Sequence, residues 1–326
     1  MNRIKLAVVG CGEHSQENIL PILWICPEAE VIAVVDSNAD NLRRASELIP
    51  TARAYTNFVE IFENRELEAV IAAAPPQIHV AVAKMALKQG IHVFLEKPPS
   101  VYTRDLLALA DLAEARGLIT MVGHNIRYSG ASLKMKELAS VDGFGMPIAM
   151  ETRYLASKPR GDRWNIGSPL RSFLLSHVSH ALDLMLYQVG PCSVNSAQAA
   201  LIGDGVITIT AGLTGAAGAV CSLLAANNCE HFSVHSTLLG ESGNYIQMES
   251  TNVVTAYGDL MGPKRNGRIW IEQELNTGWR HAGYSTEINA FLSGIRCGAQ
   301  SAPNFRDEVS VMEAIDEIER RVTETG

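Results

Sequence analysis

Two short stretches hold the residue types that chemistry needs. The first is GCGEHS (10–15), which closes the apolar run IKLAVV. Gly10 and Gly12 fit the first two positions of the dinucleotide fingerprint G-x-G-x-x-G/A, and Ser15 stands at the third. The first glycine makes a tight turn and the second lets backbone approach a pyrophosphate. The third only permits close helix packing, so a small serine is tolerable there. A following helix would aim its N-terminal amides at phosphates. Glu13 and His14, on the same turn, are expected at the cofactor. Asp36 ends the second apolar run, where an acid accepts hydrogen bonds from ribose hydroxyls and repels a 2′-phosphate. Ser37 rather than an arginine follows it, and Arg43 and Arg44 lie far along the next helical stretch. NAD(H) is therefore favoured, with NADP(H) as the alternative. The bland reading is an ordinary glycine turn; the strand–turn–helix–strand–Asp context argues for the cofactor.

The second stretch is FLEKPPS (94–100). An apolar run ends on Glu96 and Lys97, and then Pro98 and Pro99 remove two backbone donors. Either the charges mark where a strand meets water, or the prolines fix a lysine at the mouth of a site. Ala74, Pro75, Pro76 and His79 follow the preceding run and shape the same cleft, with His79 read as a helix-start residue. Asn125 and Arg127 come just after the run ITMV, at the carboxyl edge where such sheets bind ligands. Further on, His177, His180 and Asp183 stand at i, i+3 and i+6. That spacing drifts around a helix, and no H-E-x-x-H or C-x-x-C supports it, so no metal is expected. Arg160, Arg163 and Trp164 lie in a polar loop just before these histidines. Arg163 suits a carboxylate or phosphate and Trp164 a sugar ring, unless the loop is merely solvated.

The elements that must position these residues follow from periodicity. Apolar runs at 4–9, 31–35, 69–73, 91–95 and 119–122 alternate with amphipathic stretches at 79–90 and 103–117, the latter stopped by Gly117. This alternation predicts a parallel sheet covered on both faces. After about residue 123 the texture changes: helical GASLKMKELAS, the strand PIAMETRYLA, the loop 157–169 and a helix over 170–190. β-rich segments separated by glycine turns then run to about 273, ending in RIWIEQ, and read as an antiparallel meander. Two helices, near 284–297 and 306–324, close the chain. The expected architecture is an α/β Rossmann-like N-terminal domain, 1–122, plus an α+β C-terminal domain, 123–326, with a large, mostly antiparallel open sheet.

Taken in order, GCGEHS, the Asp36 strand end, AAAPPQIH (72–79), HVFLEKPPS (92–100) and MVGHNIRYS (121–129) resemble the glucose–fructose oxidoreductase/inositol dehydrogenase (Gfo/Idh/MocA) family. The match is strong over 1–130 and looser beyond. The resemblance implies hydride transfer between a nicotinamide and a secondary alcohol or ketone carbon of a sugar, sugar nucleotide or cyclitol. It implies that Lys97 is the active-site lysine, that Glu96 sits near the cofactor, and that a cis peptide before Pro98 is to be looked for. It also implies that Asn125 faces the active site. The family's D-x-x-x-H-x-x-D falls on Ser176, His180 and Asp183, making His180 the base, Ser176 a departure and Asp183 structural. Ser176 and His180 are expected to share a helix face. A hydroxyl cannot stabilise an imidazolium as a carboxylate does. Three outcomes stay open: a weaker base, a substrate group in the vacated space, or another reaction. Arg163, Trp164, Ser176, His177 and Asn125 are the expected substrate contacts. The rivals are a non-net-redox enzyme using tightly held NAD for elimination or glycoside cleavage, and a non-catalytic nucleotide-binding sensor.

Composition bounds the partners. The 326 residues are 47% hydrophobic and 19% charged, with a net charge of −8. No basic cluster invites nucleic acid, and no apolar run approaches the ~20 residues of a membrane span. Six scattered cysteines fit a reducing, cytoplasmic setting. The open sheet predicts a homodimer or homotetramer, because a soluble monomer rarely exposes a large apolar face. Substrate specificity is expected in the loops 157–169, 226–232 and 256–268.

Overall fold

The computed structural model describes residues 3–203, 205–260, 267–271 and 282–325. Within the expected loop 256–268, residues 261–266 lie outside the described residues, as do the last two residues of RIWIEQ. The chain divides into two compact units: residues 1–124 with 284–309, and residues 125–283 with 310–326.

The first unit is built on a six-stranded sheet of β1 (Ile4–Val9), β2 (Ala29–Val35), β3 (Arg53–Tyr55), β4 (Ala69–Ala72), β5 (His92–Glu96) and β6 (Thr120–Gly123). Its order is β3-β2-β1-β4-β5-β6, with every neighbouring pair parallel. β4 is buried along its whole length, and β1 nearly so. This is why these strands read as continuous apolar runs and not as alternation. β3 has only three residues, two of them exposed, and left no pattern to read. The strand order reverses between β1 and β4, and a crevice opens beyond the carboxyl ends of strands at such a switch point. Gly117 ends the helix Thr103–Arg116 in the left-handed region, at φ +62°.

The segment 284–309 joins this unit, whereas one unbroken domain over 123–326 was expected. The physical reason lies in packing and at a sheet edge. Phe291 stacks edge-on against Phe94 of β5, 5.7 Å between ring centroids. Val122 of the edge strand β6 donates to Pro303 O at 2.9 Å, and Gln300 bonds Thr120 N and Leu118 O. The segment thus occupies hydrogen-bonding groups that an uncovered edge would expose.

The second unit carries β7 (Pro147–Leu155), β8 (Ser193–Ile202), β9 (Val206–Thr214), β10 (Val220–Ala226), β11 (Ser233–Gly240), β12 (Tyr245–Glu249), β13 (Val253–Tyr257) and β14 (Arg268–Ile271). They form one sheet in the order β14-β13-β12-β11-β7-β10-β9-β8. The sheet is not a pure meander: β10 runs parallel to β7, while the other described pairs are antiparallel. Burial alternates strictly along β11, β12 and β13, as on a sheet with one covered face. The helices Gly130–Ala139 and Ser179–Val189 contact that sheet.

Gly10 leaves no room for a side chain at the switch point. Its φ is +88°, and a Cβ there would stand 2.3 Å from Ala73 O. Gly10→Ala is expected to destabilise the first unit by about 2 kcal/mol or more, since the left-handed conformation alone costs a side chain roughly 1–2 kcal/mol. A lowered denaturant midpoint checks it; an unchanged midpoint contradicts the close approach.

Candidate functional site

At the switch point, a cavity of about 510 Å³ is lined by Gly10, Gly12, Asp36, Ser37, Ala74 and Pro75, among others. It lies within the first unit. A Cβ built on Gly12 meets nothing within 4 Å, so the glycine keeps backbone bare on open space. Ser15, at the third fingerprint position, is buried and donates to Gly10 O at 2.5 Å, which ties the turn to the helix that follows it. Asp36 is fixed by three donors. Cys11 N and Asn38 N each bond it at 2.8 Å, and Asn41 Nδ2 at 3.3 Å. Bare glycine backbone, a fixed carboxylate and a cavity between them fit the ribose and pyrophosphate of a dinucleotide.

Glu13 is exposed, and His14 turns to another partner. His14 Nε2 lies 3.2 Å from Glu96 Oε1, and Tyr284 meets the imidazole edge-on. Burial works against the charged imidazolium, but Glu96 outweighs it and raises the His14 pKa. Burial likewise works against the Glu96 carboxylate, but His14, with Lys97 and His79, holds its pKa below the ordinary value. Gly123 makes room for this carboxylate, since a Cβ there would come within 2.9 Å of Glu96 Oε1. Lys97 follows, half-buried, and its peptide to Pro98 is cis.

His79 holds a larger place than a helix start. It is fully buried in the helix Pro76–Lys88. Its Nε2 accepts from Ala74 N at 2.9 Å, and its Nδ1 lies 2.9 Å from Pro98 O. A backbone N–H only donates and a carbonyl only accepts, so the proton sits on Nδ1 and the ring is neutral. Burial lowers its pKa from 6.5 to about 4. A lone histidine in an apolar helix gives no sequence signal for this role.

The second unit assembles the other candidates. Ser176 and His177 lie on a π-turn, Leu174–Val178, inserted just before the helix Ser179–Val189. The π-turn closes i→i+5 hydrogen bonds locally, and residues four apart on it still lie on neighbouring faces. Ser176 Oγ donates to Ser172 O at 2.5 Å and lies 2.8 Å from His177 Nδ1. Tyr154 of β7 links the two histidines: its ring stacks on His180 at 6.2 Å and meets His177 edge-on at 5.9 Å. Sequence reading passed over Tyr154, because a buried tyrosine in a strand looks like core. Asp183 accepts both Nε and a terminal nitrogen of Arg127 in a buried pair. Asn125 is buried and donates to Ala282 O at 2.6 Å.

The loop 157–169 is built rather than loose. Trp164 and Asn165 hold left-handed backbone at φ +56° and +57°, a conformation asparagine tolerates and a bulky tryptophan seldom adopts. The Arg163 guanidinium lies over the Trp164 ring at 5.1 Å. Buried Asn227 donates to Pro159 O and Gly205 O and accepts from Ile207 N. Two of the loops singled out in the sequence, 157–169 and 226–232, are therefore joined.

Buried neutral His79 carries a pH signature. Its folded pKa, about 4, lies below the unfolded 6.5, so the unfolded chain binds the extra proton. Its contribution is complete above about pH 6.5 and is lost as pH falls toward 4, up to about 3 kcal/mol at 1.36 kcal/mol per pKa unit. Denaturant unfolding at pH 7 and pH 5 should show a larger stability loss for the wild type than for His79→Gln, which has no group titrating there. Equal losses would contradict the assignment.

The model of an oxidoreductase family with an NAD-binding Rossmann fold (GFO_IDH_MocA) matches residues 4–124. UDP-N-acetylglucosamine 3-dehydrogenase of Acidithiobacillus ferrooxidans is 30% identical over 230 residues, covering 69% of this chain and 67% of that protein. Inositol 2-dehydrogenase of Burkholderia ambifaria is 23% identical over 332 residues, covering 96% and 92%. The chain spans a smaller part of two other curated relatives, 55% and 63% of their length. Among solved structures, a dehydrogenase from Chromobacterium violaceum superposes with a TM-score of 0.93 at 27% identity, covering 100% of this chain and 97% of that one. Levoglucosan dehydrogenase, solved in complex with NADH and L-sorbose, has a TM-score of 0.87 at 17% identity, covers 99% and 98%, and shares the fold. With its bare glycine turn, its Asp36 strand end and its Glu96–Lys97–Pro98 turn in that fold, the chain belongs to the Gfo/Idh/MocA family of NAD-binding oxidoreductases.

Proposed function

We propose that this protein is an NAD(H)-dependent dehydrogenase or reductase acting on a secondary alcohol or ketone carbon of a sugar, sugar nucleotide or cyclitol. The observation that carries the reading is the cavity at the β1/β4 switch point, with Gly12 bare on one side and Asp36 fixed on the other. Relatives named for UDP-N-acetylglucosamine and inositol support the substrate class. Asp36 supports NAD(H) over NADP(H), because its carboxylate would repel a 2′-phosphate. When bound, the nicotinamide supplies the hydride acceptor or donor.

The remaining work falls to side chains. The Lys97 ammonium stabilises charge developing on the substrate oxygen, an interaction that strengthens toward the transition state. His180 is the proposed base, with its ring plane set by the stacked Tyr154. Asn125, Arg163, Trp164, Ser176 and His177 are the proposed substrate contacts. A second copy of the chain is proposed against the open face of the second sheet, near exposed Ile148 and Val220.

Two outcomes test the reading. Against a panel of myo-inositol, levoglucosan and UDP-N-acetylglucosamine with NAD⁺, at least one substrate should raise reduced-nicotinamide absorbance, and Lys97→Ala should lower kcat by ~10²-fold or more with little change in NAD⁺ affinity. Undiminished turnover in that variant sinks the lysine assignment, and substrate loss without net absorbance change favours the elimination or cleavage reading. Separately, kcat/KM should be higher with NAD⁺ than with NADP⁺, and Asp36→Ala should narrow the ratio by ~10-fold or more, as expected from removing a repelled charge worth about 1.4 kcal/mol or more. A ratio unmoved by the substitution refutes the role given to Asp36.

A further inference from the structure

We propose that His79 is a positioning residue that locks the cofactor-cavity wall at Ala74–Pro75 to the turn carrying Lys97, so that the two keep a fixed spacing. The need for such a lock follows from the backbone. β4 and β5 pair from Ala69↔His92 to Ala72↔Leu95, and the ladder stops there. Beyond it both chains turn on prolines: Pro75 and Pro76 on one side, Pro98 and Pro99 on the other. None of the four has an N–H, so the ladder cannot be carried into the turns by these residues. An imidazole supplies what the prolines lack. His79 Nε2 takes the Ala74 N–H and Nδ1–H is given to Pro98 O, both at 2.9 Å. Pro98 is bonded directly to Lys97, and Ala74 and Pro75 line the cavity.

The surroundings suit a neutral ring that keeps its tautomer. His79 is 0% exposed, and its two ring nitrogens are both engaged. The ionisable neighbour that acts on it is Glu96, itself paired with His14. Protonating Nε2 would force two donors against each other at Ala74. The lock therefore works only in the neutral form with the proton on Nδ1. An amide side chain also offers one acceptor and one donor at similar separation, which makes glutamine the conservative replacement.

The proposal rests on reading Lys97 as the site lysine, but its test needs no substrate. In the full-length protein, the acylation rate of each lysine by acetic anhydride is read by peptide mass spectrometry, and NADH affinity by fluorescence titration. His79→Ala should change the Lys97 rate by ~3-fold or more while Lys88, at the far end of the same helix, keeps its rate. NADH should bind ~5- to 10-fold more weakly, the size expected when a buried donor and acceptor lose their partners. His79→Gln should bring both readings back to within ~2-fold of wild type. A merely space-filling His79 predicts a lower melting temperature with Lys97 reactivity and NADH affinity unchanged, and that result overturns the proposal. The dehydrogenase reading would survive it, because that reading stands or falls with the rise in reduced-nicotinamide absorbance on the substrate panel. Should His79→Ala not fold, ¹⁵N NMR of the wild-type chain decides: His79 should stay neutral with its proton on Nδ1 from about pH 5 to pH 8, and titration near the ordinary value of 6.5 overturns the lock.

Discussion

The first unit depends on how closely β1 and β4 can end beside each other. Ala73 N donates to Val9 O at 2.8 Å, and Gly10 N donates across to Val35 O at 2.9 Å. The chain leaving β1 is thus pinned on both sides and must turn within one residue. Only a glycine at φ +88° does this without striking Ala73 O. The next consequences follow in order. Cys11 N is left pointing at Asp36, which anchors the carboxylate at the end of β2. Gly12 then faces open space, and Ser15 closes the turn onto Gly10 O. The cavity is the volume that this forced turn leaves beyond the strand ends.

A second consequence concerns charge. Glu96 ends β5 almost completely buried, and a buried carboxylate left alone would neutralise rather than persist. His14 answers it from the glycine turn, so the fingerprint loop and the end of β5, just before Lys97, are coupled electrostatically. In the second unit the same logic is stricter. Asp183 and Arg127 are both buried and meet through two hydrogen bonds, the arrangement in which a buried pair keeps its charges at least cost.

Legibility in the sequence followed the period of the side chains. The strands β1, β2, β4, β5 and β6 were readable because burial on both faces writes a continuous apolar run. β8, SVNSAQAALI, was not, since it is largely exposed and carries small polar residues. The glycines and Asp36 were readable because backbone geometry restricts residue type there. His79 was not, because nothing in PQIHVAVAK says where an imidazole's two nitrogens will go. The parallel β7–β10 pair was also hidden: alternation reports which face is buried, not the direction of the neighbour. Nor could spacing reveal the π-turn, which inserts a residue into a helix without changing its apolar character.

That π-turn also decides what the Ser176 hydroxyl can do. Ser176 uses its one proton on Ser172 O at 2.5 Å, four residues back. An aspartate at 176 has no proton to give at neutral pH and would set a carboxylate against that carbonyl. The serine is therefore matched to the local backbone, and exchanging it for aspartate would disturb the turn as well as add a charge. The same hydroxyl also stands 2.8 Å from His177 Nδ1. Ser172, for its part, receives Arg163 N and donates to Asp162, so the polar loop, the π-turn and His177 form one hydrogen-bonded chain. Through Ser172 the Ser176 hydroxyl is tied to the loop that carries Arg163 and Trp164. The physical effect is a mechanical link between the turn that carries His177 and that loop.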